Sequence, residues 1–207
     1  MLLKYDELVN KYEMNVTGVI HIGGHYGNEY SIYAGYPSIE KILFFEPDSK
    51  SFSVLKDRVG NDDKVICVNK ALGPFEGSTN FYKSKDNEGM SNSLMKPALH
   101  ATQYPHIVFN EEETINFSPL DKYEPKPIFN LINIDVQGFE LNVFLGAKKT
   151  LKNIKYIIAE VNRDEVYENC TRVEELDSYL SIYGFERKET SWDGGTWGDA
   201  FYLKTNQ

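Results

Sequence analysis

The sequence predicts an α/β protein in which a doubly wound, mostly parallel sheet has helices on both faces. Short apolar runs recur at 19–22, 42–45, 65–68, 131–134 and 156–159. They lack the alternation of a half-exposed strand, which is typical of parallel strands covered on both sides. The segments between them have the apolar spacing of helices, and strand alternating with helix implies right-handed crossovers.

The helices between the runs are indicated by their ends. Asp48 is placed to cap a helix that Gly60 ends, since side-chain oxygens favour the first position and glycine follows the last. Apolar spacing over 141–151 predicts a second helix. Thr171 and Glu174 have the spacing of a capping box and predict the start of a third.

Two segments depart from this alternation. Residues 73–127 are rich in polar residues, Pro and Gly, and we expect a loop-rich segment over the site, with short strands near 79–83 and 114–117. At the C-terminus, 185–192 and 200–204 predict an antiparallel hairpin at the edge of a seven-stranded sheet.

Length and charge set the remaining limits. The 207 residues are expected to form one domain, 1–207, with 1–15 as an N-terminal helix or extension. A net charge of -9 disfavours nucleic acids and anionic membranes as partners. With no apolar run of about 20 residues and no signal-peptide core, the sequence predicts no membrane span and a cytoplasmic location, and it leaves the oligomeric state open.

A glycine-rich turn follows the first apolar run. Gly23, Gly24 and Gly27 come directly after it, at the strand end where open α/β sheets bind ligands. A dinucleotide fingerprint would need glycine at the position of Ile22, so the turn disfavours NAD. The turn by itself is equally compatible with a purely structural bend.

Polar side chains end three further runs. Glu46 lies 22 residues after Gly24, where a carboxylate can accept both ribose hydroxyls of an adenosine ligand; the alternative is a helix cap or a solvated side chain. Asp135 ends the fourth run, and Glu160 and Asn162 end the fifth. Because parallel strand ends meet at one crevice, these residues predict an active site.

Together these segments resemble the FkbM-type methyltransferases over roughly Gly18 to Leu203. Many members have Asp in place of His21 and Ala in place of Gly24, and this chain looks like a branch with two histidines in the turn. The resemblance is carried by the segments His21-Ile22-Gly23-Gly24-His25-x-Gly27, Phe45-Glu46-Pro47, Asn69-Lys70-Ala71-Leu72-Gly73, Ser91-Asn92-Ser93-Leu94, Asn133-Ile134-Asp135-Val136-Gln137-Gly138-Phe139-Glu140, Glu160-Val161-Asn162 and Trp197-Gly198-Asp199-Ala200.

The resemblance implies a single Rossmann-like class I methyltransferase domain that uses S-adenosylmethionine and releases S-adenosylhomocysteine. Glu46 would hold the ribose, the glycines would face the methionine part, and Lys70 to Leu72 would border the adenine. The residues expected at the cofactor are Ile22, Gly23, Gly24, Gly27, Asn28, Glu29, Glu46, Pro47, Lys70, Ala71, Leu72, Ser93, Asp135 and Val136.

Methyl transfer to a hydroxyl needs a proton acceptor, and Asp135 is the first candidate base. His25 is the second candidate because its ordinary pKa lies near neutrality, and Glu160 completes the catalytic set. For His21, buried in a strand, a structural role is favoured. Asp135, Glu160 and Asn162 offer hard oxygen ligands for a divalent cation, a less favoured alternative; no Cys/His spacing indicates zinc.

Members of the family mostly methylate oxygen, often a sugar hydroxyl. The resemblance therefore implies a sugar hydroxyl as acceptor, such as that of rhamnose in a glycan or a nucleotide sugar. Trp192 and Trp197 offer flat faces for a sugar ring, although they are equally suited to covering the sheet edge. Competing functions are an NAD-dependent sugar oxidoreductase and a non-catalytic methyltransferase-like module of a glycan-assembly protein. The residues expected at the acceptor are Gln137, Glu140, Asn162, Trp192, Trp197 and Asp199.

Overall fold

The computed structural model describes residues 2–205; residues 1, 206 and 207, which end the predicted 1–207 domain, lie outside the described residues. The ten strands are β1 (Gly18–Ile22), β2 (Lys41–Phe45), β3 (Val65–Val68), β4 (Ala71–Leu72), β5 (Gly77–Ser84), β6 (Phe109–Ser118), β7 (Leu131–Ile134), β8 (Tyr156–Asn162), β9 (Phe185–Trp192) and β10 (Trp197–Lys204). The α-helices are α1 (Tyr5–Lys11), α2 (Tyr30–Ala34), α3 (Ser49–Val59), α4 (Leu99–Gln103), α5 (Glu140–Leu145) and α6 (Val173–Ser181). Two 3-10 helices span Leu120–Tyr123 and Thr150–Lys152.

The main sheet confirms the predicted architecture. Its seven strands follow the order β3-β2-β1-β7-β8-β10-β9. The first five are parallel, and β10 runs antiparallel to both β8 and β9. The chain moves outward from β1 to β3 and then returns to place β7 on the other side of β1. This reversal is a topological switch point, where open α/β sheets form a crevice at the carboxyl ends of their strands.

The central strands are buried because hydrophobic cores cover both faces of the sheet. Along β1, Val19 joins the core beneath α1 and α3, whereas Ile20 joins the core beneath α5 and α6. The third predicted strand, β3, is instead the edge of the sheet, and its Ile66 is 49% exposed. An apolar run alone does not distinguish an edge strand from a central one.

The segment 73–127 contains more regular structure than the sequence predicts. A second sheet has the order β4-β6-β5, and its hairpin strands β5 and β6 extend well beyond the predicted 79–83 and 114–117. Ion pairs link the two strands, Lys83 with Glu113 at 3.4 Å and Lys85 with Glu111 at 2.5 Å. Much of this hairpin is solvated, so it carries no apolar run by which to recognise it.

Helix caps agree with the prediction at α3 and differ at α6. The Asp48 carboxylate accepts the N–H of Ser51 at 2.9 Å, as expected for the cap of α3. At α6 the predicted box of Thr171 and Glu174 is wrong by one residue, because the N–H of Arg172 donates to the Glu175 carboxylate at 2.8 Å. The hydroxyl of Thr171 instead accepts an N–H at the start of α5.

The remaining expectations concern the two ends of the chain. The predicted N-terminal element contains α1, and the C-terminal hairpin is present, with β10 starting three residues earlier than predicted, at Trp197. None of the helices within residues 2–205 is long and apolar enough to cross a membrane.

Replacing Gly23 with alanine is expected to lower the free energy of unfolding by more than about 2 kcal/mol. Gly23 has a φ of +82°, and a Cβ there would lie 1.8 Å from the carbonyl oxygen of Asp135. The left-handed conformation alone costs roughly 1–2 kcal/mol, and the backbone clash adds to it. Urea denaturation measures the loss.

Gly194→Ala is the matched control, because Gly194 has a φ of +97° and a Cβ there meets nothing within 4 Å. This variant has the unfavourable left-handed conformation without the backbone clash, so its free energy of unfolding is expected to fall by less. Equal losses for the two variants would mean that the turn relaxes away from Asp135, which contradicts the close packing described above.

Candidate active site

A single cleft lies at the carboxyl ends of β1, β2, β7 and β8. It contains most of the residues that the sequence predicts for the site. The predicted residues that line it are Ile22, Gly23, Gly24, His25, Asn28, Glu29, Glu46, Pro47, Lys70, Ala71, Leu72, Asp135, Val136, Gln137, Glu160 and Asp199.

The glycine-rich turn fits tightly against its neighbours in the chain. The N–H groups of Gly23 and Gly24 both donate to the carbonyl of Phe45, at 3.0 and 2.9 Å. A Cβ on Gly27, whose φ is +70°, would lie 2.4 Å from the side chain of Leu55. The glycines therefore admit neighbouring protein atoms as well as line the cleft, and Gly27, behind the turn, is outside the lining.

Glu46 is held at the centre of the cleft by backbone amides. Its carboxylate accepts the N–H of His25 and the N–H of Asp48, each at 2.7 Å. Burial is the main cause that raises the pKa of Glu46 to about 7, against the lowering effect of these two hydrogen bonds. A carboxylate has about four acceptor positions, so two remain for a ligand that presents a pair of hydroxyls.

The two histidines of the turn have different surroundings. His21 is buried, and its Nδ1 lies 3.0 Å from the hydroxyl of Tyr33, which is the structural role favoured by the sequence. Burial lowers the pKa of His21. His25 stacks on Tyr26 with ring centroids 3.9 Å apart, and its Nε2 lies 3.0 Å from the carbonyl oxygen of Glu88. His25 thus joins the turn to the opposite rim of the cleft.

Two carboxyl groups and one amide form the polar centre of the cleft. The Nε2 of Gln137 donates to Asp135 at 2.7 Å and to Glu160 at 2.6 Å. Asp135 is exposed to the cleft, whereas Glu160 is buried. Burial, followed by the charge of Asp135 and a hydrogen bond with it, raises the pKa of Glu160 well above its ordinary value. The protonated form of Glu160 is therefore favoured more than in an ordinary glutamate.

The orientation of the Gln137 amide is fixed from outside the cleft. The hydroxyl of Tyr167 donates to Gln137 Oε1 at 2.7 Å, which leaves the NH₂ group facing the two carboxyls. The backbone of Gln137 is left-handed, with a φ of 56°, and its carbonyl accepts the hydroxyl of Ser93 at 2.7 Å. Ser93, predicted at the cofactor, holds this loop from outside the cleft lining.

Glu140 also supports the loop rather than lining the cleft. Its buried carboxylate accepts the N–H groups of Val136 and Gly138, both at 3.1 Å. Burial is the main cause that raises its pKa to about 7. This residue, predicted at the acceptor, thus occupies the amides at the start of α5 and fixes the loop after β7.

Three more residues expected at the acceptor lie outside the lining. Asn162 is fully buried and has no hydrogen-bond partner for its amide. Trp197 donates its Nε1 to the hydroxyl of Tyr104 at 2.9 Å, and Trp192 lies 4.4 Å beneath the guanidinium of Arg163. The two tryptophans cover the edge of the sheet and the neighbouring loops, which was the alternative given for them above.

Asp199 lies in the lining but is already engaged. Its carboxylate accepts the backbone N–H groups of Leu2 and Leu3, and burial is the main cause that raises its pKa. It therefore fastens the N-terminal segment to the end of the cleft.

Residues 85–94, which we call the flap, supply the side of the cleft that the sequence left undefined. Ser84 donates its N–H to Asn92 at 2.8 Å, and Asn87 donates to the hydroxyl of Ser91 at 2.7 Å. The Ser91-Asn92-Ser93-Leu94 motif was the signal for this part of the site. Asn92 belongs to the Ser91-Asn92-Ser93 stretch, from which the sequence predicts hydrogen bonds to the hydroxyls of the acceptor, and it lines the cleft. The lining residues that sequence reasoning missed are His21, Phe45, Phe81, Gly89, Met90, Leu94, Asn133, Ile134, Phe139 and Ile158.

The described part of the chain holds no metal-binding cluster. Among residues 2–205, no group of three or more His, Cys, Asp or Glu side chains is arranged to bind a cation. Two of the three oxygen ligands considered above, Asp135 and Glu160, do meet, but Asn162 lies outside the cleft lining.

Comparison with known proteins identifies the family of this chain. The model of the family described as the methyltransferase FkbM domain matches residues 21–187, from β1 into β9. The chain belongs to the FkbM methyltransferase family. A curated relative, the 2-O-methyltransferase NoeI of Sinorhizobium fredii, is 24% identical over 170 residues, which cover 78% of this FkbM chain and 70% of NoeI.

Solved structures show that the FkbM chain shares the fold of S-adenosylmethionine-dependent methyltransferases. The M. capricolum TrmK structure, in complex with S-adenosyl-homocysteine, has a TM-score of 0.52 and 11% identity, covering all of this chain and 70% of that one. Streptococcus pneumoniae Sp1610 with S-adenosyl-L-methionine has a TM-score of 0.53, 15% identity and coverages of 100% and 74%. Synechocystis magnesium protoporphyrin IX methyltransferase with bound SAM has a TM-score of 0.53, 9% identity and coverages of 97% and 76%.

The raised pKa of Glu160 predicts a variant that is more stable at alkaline pH. The pKa of Glu160 is raised above its ordinary value of 4.5. The contribution of Glu160 to stability is therefore complete below pH 4.5 and is lost as the pH rises through the pKa that the group has in the folded protein. A glutamine at this position can still accept the hydrogen bond from Gln137 and donate one to Asp135, but it has no proton that titrates. Glu160→Gln is expected to raise the melting temperature at pH 8, by roughly 2–4 °C for each ~1 kcal/mol.

The melting temperature of Glu40→Gln, a variant at an exposed site, measures the effect of removing one surface charge. A melting temperature for Glu160→Gln that falls at pH 8, while the Glu40 variant is unchanged, would show that Glu160 is bound as a carboxylate.

Proposed function

We propose that this FkbM protein transfers the methyl group of S-adenosylmethionine to a hydroxyl of a sugar, with Asp135 as the general base. One observation carries the proposal: Glu46 and Asp135, which end different strands, line the same cleft at the switch point of the sheet. The relative NoeI is a 2-O-methyltransferase, which supports oxygen as the methyl acceptor.

The residues of the cleft fit the cofactor. Glu46 retains two acceptor positions for the ribose hydroxyls, and Ala71 and Leu72 at β4 offer buried apolar surface beside it for the adenine. When bound, S-adenosylmethionine supplies a methyl group on a sulfonium sulfur; the S–C bond breaks as the new O–C bond forms, and its electron pair leaves with the sulfur as S-adenosylhomocysteine.

Asp135 is the residue best placed to take the hydroxyl proton. It is exposed in the cleft, and the Gln137 amide restrains its carboxylate. Burial is the main cause that raises the pKa of Glu160 well above its ordinary value, which favours Glu160 as a protonated hydrogen-bond partner of Asp135 over a role as a second ionised base. The Nε2 of His25 meets the Glu88 carbonyl at the rim of the cleft, so only its Nδ1 could take a proton, and we assign the base to Asp135 because it ends a central strand inside the cleft.

The lining offers a sugar both polar and apolar contacts. Asp135, Gln137 and Asn92 present oxygens and amides, and Met90 and Phe139 present apolar surface. Sugar rings need this mixture, because their hydroxyls form hydrogen bonds while their C–H faces pack on apolar groups. Glu140, Asn162 and the two tryptophans lie outside the lining, and the proposal assigns them no contact with the acceptor.

S-adenosylhomocysteine is expected to raise the melting temperature by mass action, whereas NAD⁺ is expected to leave it unchanged. Glu46→Gln is expected to weaken this binding because a neutral amide accepts only on its oxygen. The shift in melting temperature, titrated with ligand, measures both effects. Stabilisation by NAD⁺ alone would favour the oxidoreductase considered above.

The binding of S-adenosylhomocysteine is also expected to depend on pH. Burial raises the pKa of Glu46 to about 7, and two ribose hydroxyls need the ionised carboxylate. Affinity is therefore full above pH 7 and falls by up to about tenfold per pH unit below it. Calorimetric titration between pH 5.5 and 8.5 measures this slope, which the Glu46→Gln variant should lack; an identical slope in the variant would remove Glu46 from the ribose site.

Asp135→Asn is expected to lower kcat by about 10²–10⁴-fold, the usual contribution of a general base, while S-adenosylhomocysteine still binds. Transfer of labelled methyl to a panel of methyl glycosides measures kcat, and the melting shift checks that the cofactor site is intact. A variant with unchanged kcat would show that another group takes the proton.

A further inference from the structure

Acidic side chains outnumber basic ones in the cleft lining. Five acidic residues line it, namely Glu29, Glu46, Asp135, Glu160 and Asp199. Lys70 is the one lysine or arginine among the described residues of the lining. The chain as a whole also carries a net charge of -9, so the surroundings do not offset this excess.

The acidic groups and the lysine lie on different sides of the cleft. Lys70 immediately precedes β4, on the side assigned to the adenine. Asp135 follows β7, and Glu160 on β8 pairs in register with Asp199 on β10. The side that remains for the acceptor is therefore bordered by three acidic residues from adjacent strands.

The acidic groups on this side affect one another. Burial is the main cause that raises the pKa of Glu160 and of Asp199, and the negative charge of Asp135 raises both further. The same charge contributes to the raised pKa of Glu46 and Glu140. A second anion placed beside Asp135 would meet the same repulsion.

Near the acceptor side, two groups that could bind a phosphate are already used in other contacts. Phosphates are held by arginine and lysine side chains or by the free N–H groups at a helix start. Arg163, next to the end of β8, donates to the carbonyl of Gly195 at 2.8 Å and is outside the lining. At the start of α5, the Glu140 carboxylate already accepts the N–H groups of Val136 and Gly138.

We propose that the acceptor is an uncharged glycoside, in which the sugar to be methylated is already joined to its aglycone or glycan, and not a sugar phosphate, a nucleotide sugar or a diphosphate-linked lipid sugar. The acidic side of the cleft accepts neutral hydroxyls as hydrogen-bond donors and repels phosphate. This inference rests on the proposed sugar O-methyltransferase function and specifies the acceptor of that site.

Matched acceptors test the inference directly. Methyl glycosides of common hexoses and 6-deoxyhexoses, and the 1-phosphates and nucleoside diphosphate derivatives of the same sugars, are compared as acceptors of labelled methyl from S-adenosylmethionine. We expect kcat/KM for the best methyl glycoside to exceed that of its 1-phosphate by at least about tenfold, and the ratio to shrink as added salt screens the charges. A 1-phosphate or nucleotide sugar that is used equally well or better overturns the inference.

A charge variant shows whether the cleft itself causes the preference. Glu29→Gln removes one negative charge of the lining and is expected to narrow the ratio between glycoside and 1-phosphate. Glu40→Gln, at an exposed position outside the cleft, removes the same charge and is expected to leave the ratio unchanged. An equal change in both variants, or in neither, contradicts an effect of the cleft lining.

A measurement without turnover separates this inference from the proposed function. Inorganic pyrophosphate, added to the protein loaded with S-adenosylhomocysteine, is expected to give no more stabilisation than sodium chloride of equal ionic strength; specific stabilisation overturns the inference. Methyl transfer to nucleotide sugars alone would overturn it and leave the sugar O-methyltransferase standing. No transfer to any sugar, charged or neutral, would overturn both.

Discussion

The site depends on the close approach of the ends of β1, β2 and β7. The N–H of Asp135 donates to the carbonyl of Ile22 at 3.0 Å, and the N–H of Gly23 donates to that of Phe45, also at 3.0 Å. Only a residue without a side chain fits between them, because a Cβ on Gly23 would overlap the Asp135 carbonyl. This contact brings Glu46 and Asp135, from two sides of β1, into one cleft.

Burying several carboxyl groups at and beside the cleft raises their pKa values. Each carboxyl is held by amides, Glu46 and Glu140 by backbone N–H groups and Asp135 and Glu160 by Gln137. These amides donate hydrogen bonds to the carboxyl oxygens without adding a positive charge. Burial therefore still raises the pKa values of the buried members, as expected when desolvation is not offset by an ion pair. The result is an exposed carboxylate, Asp135, beside a buried carboxyl, Glu160, whose protonated form burial favours.

The sequence alone predicts the main sheet well, and most of the site residues that it names line one cleft. Buried parallel strands leave continuous apolar runs, and the positions of Glu46 and Asp135 at the ends of such runs follow from that pattern. The β5–β6 hairpin is harder to predict in full, because ion pairs such as Lys85 with Glu111 help hold it together. The supporting roles of Gln137, Glu140 and Tyr167 are equally hidden, since they depend on contacts between residues far apart in the chain or on a loop with left-handed backbone.

The residues predicted to bind the acceptor show why residue type and position in the sequence do not suffice to assign a functional role to a side chain. Trp192 and Trp197 flank the hairpin turn and have the faces that sugars prefer, yet they pack against Arg163 and Tyr104. The flap, in contrast, contributes Met90 and Asn92 to the lining although it is a polar segment with no regular structure to predict. What decides the role in each case is the neighbouring element that the fold brings to the side chain.

A crystal structure of the protein with S-adenosylhomocysteine tests the central claim most directly. Both ribose hydroxyls are expected to donate to the Glu46 carboxylate, and the sulfur atom is expected to face Asp135 across the cleft. A ligand bound with its ribose away from Glu46, or with its sulfur separated from Asp135 by the β7 loop, would contradict it.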